Sequence, residues 1–174
     1  KQYLIGIAQL PAGASLDRTE AVVREMSRIA LQVPGIVDSV AFPGLSINGF
    51  TNSSSSGIVF TPLKPFDERK GADQSAGAIA GRLNQAFAQI QDAFIVIFPP
   101  PPVQGLGTTG GFKLQVEDRA SLGFPALNDA VQAFMAKAHE APELAGMFTS
   151  FQVNVPQLFA DLDRTRARQL GVAV

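Results

Sequence analysis

The sequence predicts an α+β fold, and three patterns point to it. Apolar stretches of strand length occur four times within residues 1–100, and two segments between them repeat apolar residues every three or four positions. Their order is β-α-β-β-α-β, a ferredoxin-like arrangement in which two helices cover one face of a four-stranded sheet. A proline run then precedes a further β-α-β pattern, so a partial second subdomain is expected.

The first three elements are predicted between residues 3 and 42. A strand covers residues 3–10, and Ser15 is a suitable N-cap for an amphipathic helix over residues 16–32. Pro34 and the glycine after it end this helix. A second strand over residues 36–42 is expected next.

The second half of the unit begins with a segment of different composition. Residues 43–56 combine glycines with a run of four serines, which predicts a mobile loop. Its apolar residues are expected to fold back onto the core, because leaving them in water costs about 1.5–3 kcal/mol each. A strand over residues 58–63, a helix over 79–90 and a strand over 93–98 complete the pattern.

A linker and a second unit follow. Four prolines from residue 99 and the glycines after them predict an extended connection. Strands over 112–118 and 146–153 flank a helix with Pro125 in its first turn, and this half unit leaves an open sheet edge. A last strand is expected over residues 158–162, and Asp163 can cap a short final helix. The predicted domains are residues 1–103, 104–153 and 154–174.

The composition excludes several classes of function. The formal net charge is −1 and the pI is about 5.8, so no basic field is present for nucleic acid or an anionic membrane. With no cysteine and one histidine, the chain cannot build a thiolate or multi-histidine metal site. No apolar run approaches the roughly 18–20 residues that span a bilayer. We therefore expect no cofactor, no metal, no nucleic acid and no membrane-spanning segment.

Residues that could carry catalysis are scattered along the chain. His139 lies near the end of the third helix, where the helix dipole favours a cation. Adjacent acids such as Glu117 and Asp118 are best explained as solvated charges. The glycine spacing of residues 105–110 matches a dinucleotide motif but precedes a strand instead of opening a helix. The chain is therefore not expected to be an enzyme.

Six motifs occur in order along nearly the whole chain: QLPAGAS (9–15), IVDSV (36–40), GIVFTPLK (57–64), IQDAF (90–94), GTTGGF (107–112) and DRTRARQLGV (163–172). Together they resemble the hydrophobe/amphiphile exporters of the resistance–nodulation–division (RND) superfamily. The resemblance implies an inner-membrane, proton-driven multidrug transporter, of which this chain is a periplasmic porter portion. The three domains would be the first C-terminal porter subdomain, half of the second, and the start of the docking domain.

The resemblance also implies partners. In the intact pump these would be amphiphilic drug-like molecules, the rest of the transporter in a homotrimer, a periplasmic adaptor and an outer-membrane channel. The fragment itself would be the periplasmic portion of a bacterial inner-membrane protein.

By position, the resemblance assigns candidate binding residues and a glycine-containing switch loop over residues 44–56. The residue spacing places the pairs Val40/Phe42 and Val96/Phe98 each on one face of a strand, which fits a pocket wall and a plain core equally. The candidates are Val40, Phe42, Leu45 and Phe60 on a distal side, Ile47 or Phe50 at the loop tip, and Ile7, Gln9, Val96, Phe98 and Pro100 on an access side. The switch-loop residues are Gly44, Asn48, Gly49, Phe50, Ser53 and Ser56.

Departures from the family pattern and other interpretations remain. The loop is about two residues longer than in the familiar drug pumps, and Gly105 and Gln152 replace charged residues near the cleft, which favours a more neutral cleft. The alternatives are a free-standing ferredoxin-like regulatory domain that binds a small ligand or self-associates, and a small hydrolase on the same fold. A metal or protein exporter is a variant of the first interpretation.

Overall fold

The computed structural model of the chain describes residues 2–47, 49–100, 112–144, 146–156, 159 and 161–173. Helices and one four-stranded antiparallel sheet form an α+β structure, as predicted. In chain order the elements are β1 (Tyr3–Gln9), α1 (Leu16–Ala30), β2 (Val40–Leu45), β3 (Asn52–Pro62), two short 3-10 turns (Phe66–Glu68 and Ala72–Gln74), α2 (Ala76–Phe87), β4 (Phe94–Phe98), α3 (Phe124–Glu140) and α4 (Arg164–Gln169).

The sheet has the order β2-β3-β1-β4, and every neighbouring pair is antiparallel. α1 and α2 pack on one face of it, and the core beneath them is a single apolar cluster drawn from both helices and from β1, β3 and β4, with Ala41 of β2 packed against it. The first six elements therefore have the predicted β-α-β-β-α-β order. Strands that follow one another through a helix, such as β1 and β2, are not neighbours in the sheet.

The helix starts follow from local capping. The Ser15 hydroxyl accepts a hydrogen bond from the Arg18 backbone N–H, which confirms this N-cap, and Ser75 caps α2 in the same way. Asp163 caps α4, as predicted, by accepting from the Arg166 N–H. These side chains satisfy amide groups that the first turn of a helix leaves without an internal partner.

The predicted mobile loop over residues 43–56 is wrong. β2 runs through Pro43 to Leu45 and β3 begins at Asn52, so the connection is the short segment 46–51. The serine run is ordered because its backbone pairs with β1: Ser56 lies opposite Gln9, and the Leu10 N–H donates to the Ser55 carbonyl. A serine run therefore indicates a loop only where no neighbouring strand can form backbone hydrogen bonds with it.

The strands expected on both sides of α3 are also absent from the described residues. Residues 112–118 and 147–153 have no strand pairing, although α3 begins near Pro125 as predicted. In the first unit, β1 and β2 are joined by α1, and β3 lies between them and pairs with both. Two strands joined by a helix in this design therefore need a third strand between them to complete their hydrogen bonds. No described strand plays this part for residues 112–118 and 147–153. Residues 159 and 161–162 of the last predicted strand are likewise unpaired, and residues 101–111 lie outside the described range.

The second strand also starts later than predicted. Ile36 makes only an isolated bridge to Leu63, and β2 begins at Val40. Among the described residues, no helix combines the length and the apolar character that crossing a membrane would require.

Candidate ligand-binding surface

The sheet face that points away from α1 and α2, called the open face here, carries most of the candidate residues. Strand pairing aligns them in two rows across the sheet. Because side chains alternate between faces, each row shares one face. The first row is Val40, Phe60, Ile5 and Phe98, and the second is Phe42, Ile58, Ile7 and Val96.

The open face is distinct from the core. Ile5, Ile7 and Ile58 are buried, yet they do not belong to the cluster beneath the helices. The neighbouring positions, such as Ala8 and Val59, do belong to that cluster. The candidate positions therefore lie opposite the helix-packed core, although their contact with a ligand stays a prediction.

Exposure increases from the middle of the open face toward the β2 edge. Val40 is 44% exposed and Phe42 is 42% exposed, whereas Phe60, Val96 and Phe98 are half-buried. Val40 and Phe42 lie on the edge strand β2, about 14 Å across three strand spacings from the access-side residues Val96 and Phe98 on the edge strand β4. Phe60 on β3, and Ile7 and Gln9 on β1, lie on the two central strands between them. Pro100, just after β4, is buried.

Aromatic rings pack against each other at the β2 side of the open face. The Phe42 and Phe60 ring centroids are 5.9 Å apart with an interplanar angle of 84°, an edge-to-face contact. Tyr3 contacts Phe60 on its other side, at 6.3 Å between centroids. These contacts fix the rings while leaving part of each exposed.

Gln9 gives the open face a polar end. Its Oε1 accepts from the Ser56 hydroxyl at 2.9 Å, and its Nε2 donates to the Ser55 carbonyl at 3.2 Å. The Ser56 hydroxyl also lies 3.2 Å from the Ser53 hydroxyl. Ser53 and Ser56, predicted in the switch loop, are therefore strand residues joined to Gln9 by hydrogen bonds.

The end of β2 and the β2–β3 connection retain some features of the predicted switch loop. Gly44 and Gly49 have positive φ angles of 80° and 69°, which glycine adopts without strain. Phe50 also has a positive φ, of 53°, and its side chain is 52% exposed. Leu45 pairs with Asn52, and Ile47 is half-buried. Asn48 lies outside the described residues.

A narrow cleft joins this connection to the open face. Its lining includes Ile7 and Gln9 of β1, Ile47 of the connection, Phe94 of β4 and Phe148. The rings of the last two lie 6.2 Å apart, so the segment around residue 148 covers this end of the sheet. The structure thus brings access-side and loop candidates together at one place.

A larger cavity of about 260 Å³ lies at the C-terminal end of α1, away from the open face. Arg69 borders it and is 8% exposed, with its Nε donating to the Lys64 carbonyl and its Nη1 to the Gln74 carbonyl. These bonds tie the connection between β3 and α2 together, so the Arg69 side chain has a structural role there.

Sequence reasoning missed four residues of the open face: Tyr3, Ile5, Ile58 and Phe94. Strict alternation from the chosen candidates would have found Ile5 and Ile58, which lie two residues before Ile7 and Phe60. The contact of Phe94 with Phe148 has no local signal, because it depends on the path of a distant segment.

The acids show no catalytic grouping in the described part of the chain. No cluster of three His, Cys, Asp or Glu residues able to hold a metal occurs there. Asp118 instead accepts the Gly123 N–H at 2.7 Å and the Ala120 N–H at 3.2 Å, closing the turn before α3. The Gly123 bond, with smaller help from neighbouring amides, lowers the pKa of the Asp118 carboxyl.

Comparison with known proteins places the chain among transporters. Residues 1–174 match the model of the AcrB/AcrD/AcrF family. The chain is 35% identical over 174 residues to the toluene efflux pump membrane transporter TtgB of Pseudomonas putida, and 32% identical over 171 residues to the multidrug export protein AcrF of Escherichia coli. These alignments cover 98% and 95% of this chain.

The chain spans about 16% of the length of each of these relatives. The multidrug resistance protein MdtF of Escherichia coli is 28% identical over 170 residues, with 96% of this chain and the same share of the relative covered. The sequence resemblance to RND exporters is thereby confirmed. The chain belongs to the AcrB/AcrD/AcrF family of RND efflux transporters.

Proposed function

We propose that this chain is the substrate-handling periplasmic portion of a proton-driven RND multidrug efflux transporter. Its open face would form an apolar wall that contacts amphiphilic drug-like molecules. The observation that carries the proposal is the pair of apolar rows on the sheet face opposite the helices, with aromatic side chains part-exposed at its edge.

Such a wall suits a broad range of ligands. Apolar and aromatic surface binds through area and shape with few directional bonds, so molecules of different structure can share it. The Gln9 and serine hydroxyl network adds hydrogen-bonding groups at one end. An amphiphile could therefore place its apolar part over the rows and its polar part near Gln9.

The two halves of the sheet supply different parts of the wall in this proposal. Val40, Phe42 and Phe60 would contact ligand on the distal side, and Val96 and Phe98 on the access side. The β2–β3 connection, with Gly49 in it and Gly44 just before it both at positive φ, would move between them as the switch loop.

The proposal extends to the assembly. The rest of the transporter, a homotrimeric arrangement, a periplasmic adaptor and an outer-membrane channel would complete the pump. Proton coupling would belong to other parts of that transporter. No observation favours the free-standing regulatory domain or the hydrolase, because the relatives are named as efflux transporters.

Binding of a fluorescent amphiphilic dye to this chain tests the wall. We expect weak, saturable binding that Phe42→Ala and Phe98→Ala each reduce by about tenfold, because each removes aromatic area of the kind that stabilises a buried contact by ~1.5–3 kcal/mol. The titration is followed by fluorescence anisotropy, with circular dichroism confirming that each variant stays folded.

Phe159→Ala is the matched control, since the Phe159 ring is 90% exposed and lies outside the sheet. It removes an equally large ring without touching the open face, so dye binding should be unchanged. Equal loss in all three variants would show non-specific association with exposed phenyl rings. Unchanged binding in Phe42→Ala and Phe98→Ala would return both residues to a purely structural role.

A further inference from the structure

β4 is an edge strand, and one side chain occupies its free edge. The strand pairs with β1 on one side, and no strand within the described ranges pairs with its other side. On that outer side, Asn84 of α2 accepts from the Ile97 N–H through Oδ1 at 2.8 Å and donates from Nδ2 to the Ile97 carbonyl at 2.9 Å. Both main-chain groups of Ile97 are therefore satisfied by one amide.

These bonds reproduce the pairing that a strand would make. Alternate residues of an antiparallel strand direct their N–H and C=O groups to opposite sides, so the Ile97 groups bound by Asn84 point away from β1. A side-chain amide has one acceptor and a donor at the spacing of a peptide group. The Asn84 amide thus offers Ile97 one donor and one acceptor, as the backbone of a neighbouring strand would.

We infer that Asn84 acts as a side-chain substitute for a fifth strand and closes the β4 edge against strand addition by a second copy of this chain. An uncovered edge strand of sequence FIVIF is apolar and rich in β-branched residues, the composition that favours edge-to-edge association. The inference concerns the sheet edge, and it holds whether or not the open face binds drugs.

The opposite edge of the sheet is closed by other means. β2 contains Pro43, which has no N–H to offer, and a bulge interrupts its pairing between Pro43 and Leu45. Such an irregular strand is a poor template for a partner. β4 is a regular strand without such interruptions, so at this edge the Asn84 side chain is what blocks strand addition in our inference.

Hydrogen exchange and light scattering of Asn84→Ala test the inference. We expect the Ile97 amide to exchange about tenfold faster, the effect of losing roughly one hydrogen bond. The Val96 amide, which faces β1, is the internal reference and should keep its protection. Size-exclusion chromatography with light scattering should show concentration-dependent dimers or larger species.

Two further variants separate the bond from general loosening of α2. Gln85→Ala changes the adjacent, exposed residue and should alter neither readout. Asn84→Asp keeps an oxygen that accepts from the Ile97 N–H but loses the donor to the Ile97 carbonyl. The Ile97 amide should therefore keep more protection than in Asn84→Ala, and the added charge should keep the chain monomeric.

The outcomes are distinct. Equal loss of Ile97 protection in Asn84→Ala and Asn84→Asp, or no loss in either, would overturn the inference, because the amide bonds would then not be what protects this residue. Faster exchange in Asn84→Ala with a strictly monomeric chain at high concentration would also overturn it, reducing Asn84 to an internal link between α2 and β4.

Discussion

The Asp118 carboxylate shows how a single side chain organises the chain before α3. It accepts hydrogen bonds from the backbone N–H groups of Ala120 and Gly123, in a turn where Ser121 and Gly123 both have positive φ angles. The sequence predicted a solvated charge at the end of a strand. The charge is indeed exposed, but its oxygens bind the turn, because a carboxylate two to five residues before free amides is a ready acceptor.

Asp118 should titrate with a pKa below its ordinary value of 3.8, because its ionised form accepts backbone hydrogen bonds, that of Gly123 first. A lowered folded-state pKa adds stability above the unfolded-state pKa, and this is lost as pH falls through the folded-state value. NMR titration of the Asp118 carboxyl measures the shift directly. The stability difference between wild type and Asp118→Asn should shrink with falling pH in that window. A titration at the ordinary value would contradict the turn geometry.

Residue spacing alone predicted which candidate residues share a face of the sheet. The spacing of Val40 with Phe42 and of Val96 with Phe98 predicted that each pair shares a face, and the structure confirms it. Which face could not be predicted, since both faces of this sheet carry apolar residues. Only the packing of α1 and α2 decides it.

At the scale of elements, the approach of α1 to β2 depends on a glycine. Gly44 forms the bulge at the end of β2 with φ +80°, and a Cβ there would lie 2.8 Å from Leu16 Cδ1. The sequence marked Gly44 as part of a mobile loop. Its conformation instead ends a strand against the first turn of a helix, a distant contact along the chain that no local pattern reveals.

Gly44→Ala should lower the free energy of unfolding by about 1–2 kcal/mol, because it places a side chain in a left-handed conformation. Gly81→Ala is the counterpart in α2, where nothing lies within 4 Å of the new methyl group. It should raise stability by roughly 0.5–1 kcal/mol through helix propensity. Urea unfolding curves report both. A neutral Gly44→Ala would mean that the bulge rearranges freely.

At the scale of the whole molecule, the core belongs to the first 100 residues. Its cluster runs from Leu4 to Ile97, and among the described residues beyond 111 only Ala138 is a buried apolar residue. The predicted order of elements was right in this part, where apolar periodicity and helix caps agree. It failed around α3, because strand formation there requires a neighbour that periodicity cannot supply.

A chain ending at residue 100 should therefore unfold cooperatively on its own. Its Tm should lie within about 8 °C of the longer chain, the shift that ~1 kcal/mol produces in a domain of this size. Residues 101–174 alone should show no cooperative transition. Circular dichroism melts of both pieces make the comparison. Loss of the transition in the shorter chain would show that the later residues share its core.

The small residues beneath the helices have a consequence for how the strands align. A one-residue slip of an antiparallel strand exchanges its faces, and polarity normally forbids this. In β3 polarity does little to prevent such a slip, because Ile58 and Phe60 on one face are as apolar as Val59 on the other. The space beneath α1 prevents it more strongly. A Cβ at Gly57 would lie 2.5 Å from Val23 Cγ1, and a Cβ at Gly6 would lie 3.2 Å from Met26 Cε. A one-residue slip of β1 would bring Ile5 or Ile7 to the place of Gly6, and a slip of β3 would bring Ser56 or Ile58 to that of Gly57. Steric exclusion by α1 therefore sets the register of this sheet.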